Sequence, residues 1–211
     1  MRLTRADIDS LESRRRAALI NSITGFKPAN LVATADPQGN TNLAIISSLV
    51  HIGSNPPLLA LVVRPDSVDR HTLSNIRATG VYTINHVHDG MVDAAHQTAA
   101  RYPRDVSEFA ATGLTEHWRE DFAAPFVEQA RVRLAMRFRE EQLLAVNGTH
   151  LVIGEVDAVD LPEHSLLDSG ALDPALANSV AIAGLDSYYR ATLLQRMEYA
   201  SPDHPPRRIE K

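Results

Sequence analysis

Cysteine does not occur in this sequence, which removes disulfides, thiolate nucleophiles and cysteine-ligated zinc or iron–sulfur centres. Basic charge is scarce as well: 21 Lys and Arg against 26 Asp and Glu leave a formal net charge of −5. A nucleic-acid partner needs a basic face to meet phosphates, and the basic runs Arg14-Arg15-Arg16 and Arg207-Arg208 read as solvated ends. No apolar run approaches the length of a membrane-spanning helix, and the N-terminal MRLTRADIDSLESRRRAAL lacks the apolar stretch of a secretion signal. The expectation is a cytoplasmic protein with no membrane partner. The sequence also lacks Gly-x-Gly-x-x-Gly, Gly-x4-Gly-Lys-Ser/Thr and Gly-x-Ser-x-Gly, so a resident dinucleotide domain, an NTPase loop and a hydrolase elbow have no support.

What is present is enough for one core. With 44% hydrophobic residues over 211 positions, the expectation is a single domain over 1–211, its core at about 20–160 and a C-terminal arm at about 161–211. Thr4 and Asp7 have capping-box spacing and open a short polar helix over 4–16. NLVATADPQGNTNLAIISSLVHI reads as two strands around a Pro37-Gln38-Gly39-Asn40 turn, and PLLALVVR as a wholly apolar strand. Val68, Leu73 and Ile76 fit a helix over 67–79, which Gly80 stops. VYTINHV is another strand, and the alanine-rich 89–113 suggests helices lying outside a sheet.

The second half returns to strands. Val132, Leu134, Met136 and Phe138 alternate with polar neighbours, Asn147-Gly148 is a hairpin signal, and THLVIGEVDAVDL supplies the partner strand. The tail from Leu161 reads as short helical turns and loops. Hairpins at both ends of a helical excursion predict a mainly β fold with some α, an antiparallel β-barrel with peripheral helices.

Two groups of residues invite chemistry. His86, His88 and His96 could approach a metal, but their spacing fits no zinc signature, so polar histidines at a strand end are the expectation and the metal set is empty. Ser47, Ser48, Arg64, Arg70, His71 and Thr72 supply hydroxyls, guanidinium groups and the start of a helix, the donors that a dianionic phosphate needs. The alternative is structural: Ser47-Ser48 bulging a strand, Arg64 capping it in water and Arg70 on a helix surface.

The order of short motifs bears on that choice. Lys27-Pro28, Asn42-Leu43-Ala44, Ser47, Pro56-Pro57, Arg70-x-Thr72, Asn75-Ile76, Asn85 and Ser107-Glu108-Phe109 resemble, in this order, the flavin reductase-like FMN-binding proteins, which are split β-barrel flavoproteins. Two positions depart from the usual pattern: Ile45-Ile46 stands where many members carry Pro-Phe, and His71 where many carry Asp.

The resemblance implies FMN as cofactor, NADH or NADPH as a transient co-substrate, hydride transfer to flavin N5, and a homodimer. It implies phosphate contacts from Arg70 and Thr72, with Arg64 and His71 as further candidates. Asn42, Ser47 and Ser48 would meet the ribityl chain or pyrimidine edge, Asn75 would lie beside them, and Lys27 would face the N1–O2 edge, where a cation raises the reduction potential. The residues at 89–113 would wall the flavin. A non-catalytic FMN carrier or sensor fits the same residues.

Overall fold

The computed structural model of the chain describes residues 1–65 and 71–209. Two N-terminal helices, α1 (Arg5–Ser10) and α2 (Ser13–Ser22), replace the single helix expected over 4–16. Thr4 and Asp7 close the capping box in front of α1. The strands and helices that follow are β1 (Lys27–Pro28), β2 (Asn30–Ala35), β3 (Thr41–Ile46), β4 (Val50–Ser54), β5 (Pro57–Val63), α3 (His71–Thr79) and β6 (Val81–His86). The excursion holds α4 (Val92–Gln97) and α5 (Glu108–Thr112), and the second half holds β7 (Glu116–Arg119), β8 (Phe122–Val127), β9 (Arg133–Leu144) and β10 (Thr149–Asp160). The tail adds β11 (Val180–Ala183) and β12 (Ser187–Arg190), a strand pair where the sequence had suggested only turns.

The fold is mainly antiparallel β-sheet with a few helices. A seven-stranded sheet runs β3-β2-β6-β9-β10-β5-β4, flanked by a β1-β11-β12 sheet and the β7-β8 hairpin. Turn chemistry sets the registers. At the β2–β3 reversal Asp36 accepts from the Gln38 and Asn40 amides, and Gly39 takes a φ of 87° that a side chain would oppose. Between β9 and β10 the loop is four residues long rather than two, since Leu144 pairs with Thr149, and Gly148 supplies the left-handed turn.

Strand β2 is buried along its whole length because it separates two cores. Leu31 and Ala33 face Val87, Met91 and Phe109 under the excursion, while Val32 faces Leu61, Tyr82, Ile84 and Met136 on the other side. On β9 the same alternation buries Leu134 and Met136 and leaves Arg137 and Arg139 outside, paired with Asp157 and Glu155.

The two edges of the large sheet, β3 and β4, are consecutive in the chain. The second strand of the expected hairpin therefore does not run on to Ile52: it ends at Ile46, and Ser47, Ser48 and Leu49 carry the chain to the opposite edge. Three linking residues span at most about 14 Å, so the sheet must curl until the end of β3 lies within that reach of the start of β4. Among the described residues no backbone ladder joins β3 to β4. Ser48 bridges part of the gap, its hydroxyl donating to Val62 O and accepting from Val62 N of β5.

Candidate functional site

Helix α3 lies against β2 and β3, and two buried amides fasten it there. Asn42 Nδ2 donates to Thr72 Oγ1 at 2.9 Å, and Asn75 Nδ2 donates to Thr34 Oγ1 at 3.0 Å. Thr72 is 8% exposed, and with its oxygen lone pair facing Asn42 its own hydroxyl proton is left to donate. Asn42, His71 and Asn75 line one concave surface with Asp36, Asn40, Thr41, Arg104, Val106 and Glu108. Four of the expected residues thus come together around the first turn of α3. Asp36 is held below the usual carboxylate range by Asn40, with a smaller contribution from the charge of Arg104.

The other expected residues are distributed differently. Both bonding modes of the Ser48 hydroxyl are taken up by the backbone of Val62, so this side chain serves the sheet. The Ser47 hydroxyl makes no hydrogen bond among the described residues, and Arg64, exposed just past β5, makes no ion pair among them. Lys27 sits in the small sheet, where its Nζ donates to Asn21 O at 3.1 Å and Gly184 O at 3.4 Å. Through β1 it precedes β2 at the sheet end where β3 runs out into Ser47, far along the strand from Asn42. Arg70, with the expected helix start at 67–70, lies outside the described residues.

The sequence reading missed Asp36 and Arg104 at this site, and it missed what Glu108 does. The outward backbone amides of edge strand β3 are met by side chains of the excursion: Leu43 N donates to Glu108 Oε2 and Ile45 N to Thr98 Oγ1, both at 2.9 Å. Thr41 Oγ1 donates to Glu116 Oε1 and meets Ser107 Oγ. The excursion is therefore latched along the strand that carries Asn42.

His86, His88 and His96 each have a protein partner among the described residues. His86 Nδ1 meets Ser179 Oγ, His88 Nδ1 accepts from Gly90 N, and His96 Nδ1 meets Tyr188 OH. No cluster able to hold a metal ion is found among the described residues. No helix among them is long and apolar enough to cross a membrane.

This arrangement, a curled antiparallel sheet with polar residues where its strands exit and a helix pinned across two of them, can now be set beside known proteins. The family model for the flavin reductase like domain matches residues 25–176. The chain belongs to that family. The match takes in β1 to β10, and with them every expected site residue.

Similarity to other members runs further. A crystal structure from Shewanella frigidimarina NCIMB 400, named for a split barrel domain and provisionally for flavin reduction, is 48% identical, with a TM-score of 0.91 over 95% of this chain and 100% of that one. An uncharacterized protein of Deinococcus radiodurans is 28% identical over 212 aligned positions, 93% of this chain and 91% of the relative. Nitrilotriacetate monooxygenase component B from Bacillus cereus has a TM-score of 0.79 at 21% identity, covering 92% of this chain and 96% of its own, a likeness of fold. The match to the Shewanella protein takes in more of this chain than the family model does.

Proposed function

We propose that the chain is a cytoplasmic, single-domain split β-barrel that binds FMN and works as a homodimeric oxidoreductase, using NADH or NADPH to reduce a flavin or a small acceptor. What supports the flavin-reductase part is family membership over residues 25–176. What supports FMN is the Asn42–Thr72 contact, which orients a buried hydroxyl as a donor at the start of α3. Bound FMN would supply two-electron chemistry, with N5 as the hydride acceptor.

The protein's own part is binding, orientation and exclusion of water. Thr72, Arg64 and Arg70 are the phosphate donors in this reading, and His71 adds a ring at the same turn. Ser47 offers an unspent hydroxyl to the ribityl chain. Asn42 and Asn75 position α3, and the latched excursion shields the strand beneath it. Lys27 contributes positive charge at the end of the sheet where β3 exits. Direct hydride passage to a bound flavin would need no acid–base side chain of the protein.

The deciding experiment is the absorption spectrum of the purified protein incubated with FMN, then with NADH or NADPH under anaerobic conditions. Flavin bands that bleach on addition of nicotinamide support a reductase; bands that persist leave an FMN carrier; no bound flavin removes both. Arg64→Ala and Thr72→Val should each weaken FMN by about 1–3 kcal/mol and leave riboflavin, which lacks the phosphate, nearly unaffected. Equal losses for the two ligands would place the phosphate elsewhere.

A further inference from the structure

Strand β5 is apolar on both faces, and its outer face is covered at Ala60, which is wholly buried, but not at Val62. Leu59, Leu61 and Val63 face the inner core, while Leu58, Ala60 and Val62 alternate with them on the outside. Pairing carries that outer face sideways, since Val62 lies opposite Leu151, and Ala60 opposite both Ile153 and Val50. Val50, Ile52 and Val62 are 47%, 45% and 39% exposed. A strand with a near-continuous apolar run is normally buried on both sides, and β4 beside it is an open sheet edge.

The chain beyond β12 has the opposite problem. Glu198 N donates to Arg207 O and Ile209 N to Arg196 O, folding residues 196–209 into a hairpin arm. Leu194 and Tyr199 are 92% and 97% exposed, and Leu193, Met197 and Ile209 are exposed too. Among the described residues the arm's one side-chain hydrogen bond to the body is Arg196 Nη2 to Ser169 Oγ. A two-stranded hairpin without a covered apolar face is marginal in water.

We propose that the arm lies across the outer β4–β5–β10 face of a second copy of this chain, each copy reciprocating. The inference rests on the homodimer proposed above and names the surfaces that make it. A second copy is the occupant because the chain carries both halves: a sheet face with exposed apolar residues beside an edge strand, and an arm whose apolar residues are exposed and which, among the described residues, makes one side-chain hydrogen bond to the body. Twofold pairing covers both at once, twice over, with no surface left to propagate. Edge strand β4 offers backbone groups that an arm strand can meet.

The absence of cysteine makes the contact directly testable. Tyr199→Cys and Ile52→Cys chains are purified separately, mixed until subunits exchange, and treated with a flexible bis-maleimide. The expected product is a covalent pair containing one of each chain, about tenfold above that from Val146→Cys with Ile52→Cys, because docking raises the effective concentration. Val146 is a fair control, being 91% exposed at the β9–β10 turn. Leu194→Asp and Tyr199→Asp should each raise the dimer dissociation constant about tenfold or more, measured by analytical ultracentrifugation. A wild-type chain that is monomeric at micromolar concentration overturns the pairing itself. A dimeric wild type whose association survives both Asp variants, with cross-linking no better than the control, overturns the arm's role and leaves pairing intact.

Discussion

Gly154 shows how one position in β10 is dictated by a partner far away in the sequence. A Cβ there would overlap the Tyr82 hydroxyl and lie 2.9 Å from its Cζ, and Tyr82 is wholly buried with no room to retreat. Gly154→Ala should destabilise the fold by about 1–3 kcal/mol in chemical denaturation, the usual cost of overpacking. Tyr82→Phe should cost little or stabilise, because the Tyr82 hydroxyl is buried without a hydrogen-bond partner among the described residues. His86 gives a pH signature. Burial lowers its pKa from 6.5 to about 4. Between those values only the unfolded chain takes up the proton, so stability should fall as pH drops through that window, by up to about 3 kcal/mol. His86→Gln should flatten that slope in denaturant midpoints measured from pH 4 to 7. Neither effect was legible in the sequence, where Gly154 is one glycine in an apolar run and His86 one of nine histidines. Asn42 and Thr72 were legible as polar interruptions, but that one fastens the other depends on packing between elements 30 residues apart.

At the scale of elements, local chemistry was readable and long-range pairing was not. Pro37-Gln38-Gly39-Asn40 and Gly148 announce their reversals because backbone angles demand particular residues. Strands β11 and β12 carried a fainter signal, Val180-x-Ile182 before Gly184, too short to stand out in a loop-rich tail. The latching of edge strand β3 left no local trace, since its donors and acceptors lie 53 to 75 residues apart. That latch makes a clear prediction. Glu108→Ala leaves the buried Leu43 amide without an acceptor and should cost about 1–3 kcal/mol, whereas Glu108→Gln keeps an acceptor oxygen and should cost less. Amide hydrogen exchange at Leu43 should quicken in the alanine variant more than in the glutamine variant. Equal exchange in both would mean that the excursion is held by its apolar contacts through Phe109 and Leu114 instead.

For the whole molecule, the apolar run of β5 has a consequence larger than its own packing. Its inner face supplies part of a core that a single chain completes; on its outer face Ala60 is buried, but Val62, with Val50 and Ile52 beside it, stays exposed. If two copies cover one another, folding and association are linked, and the equilibrium connects a native dimer to two unfolded chains. The melting temperature must then depend on protein concentration, which it does not for a monomer. A 100-fold increase in concentration should stabilise the native state by about 2.7 kcal/mol, enough to move the transition by several degrees in a chain of this size. Leu194→Asp, on an exposed arm residue that touches no core, should lower the melting temperature at high concentration and leave it nearly unchanged at high dilution. The two curves, plotted against concentration, should converge where the wild type dissociates. A wild-type melting temperature that holds constant across that range would mean that the outer face of β5 is stable in water, and that its apolar residues answer to something other than a second copy.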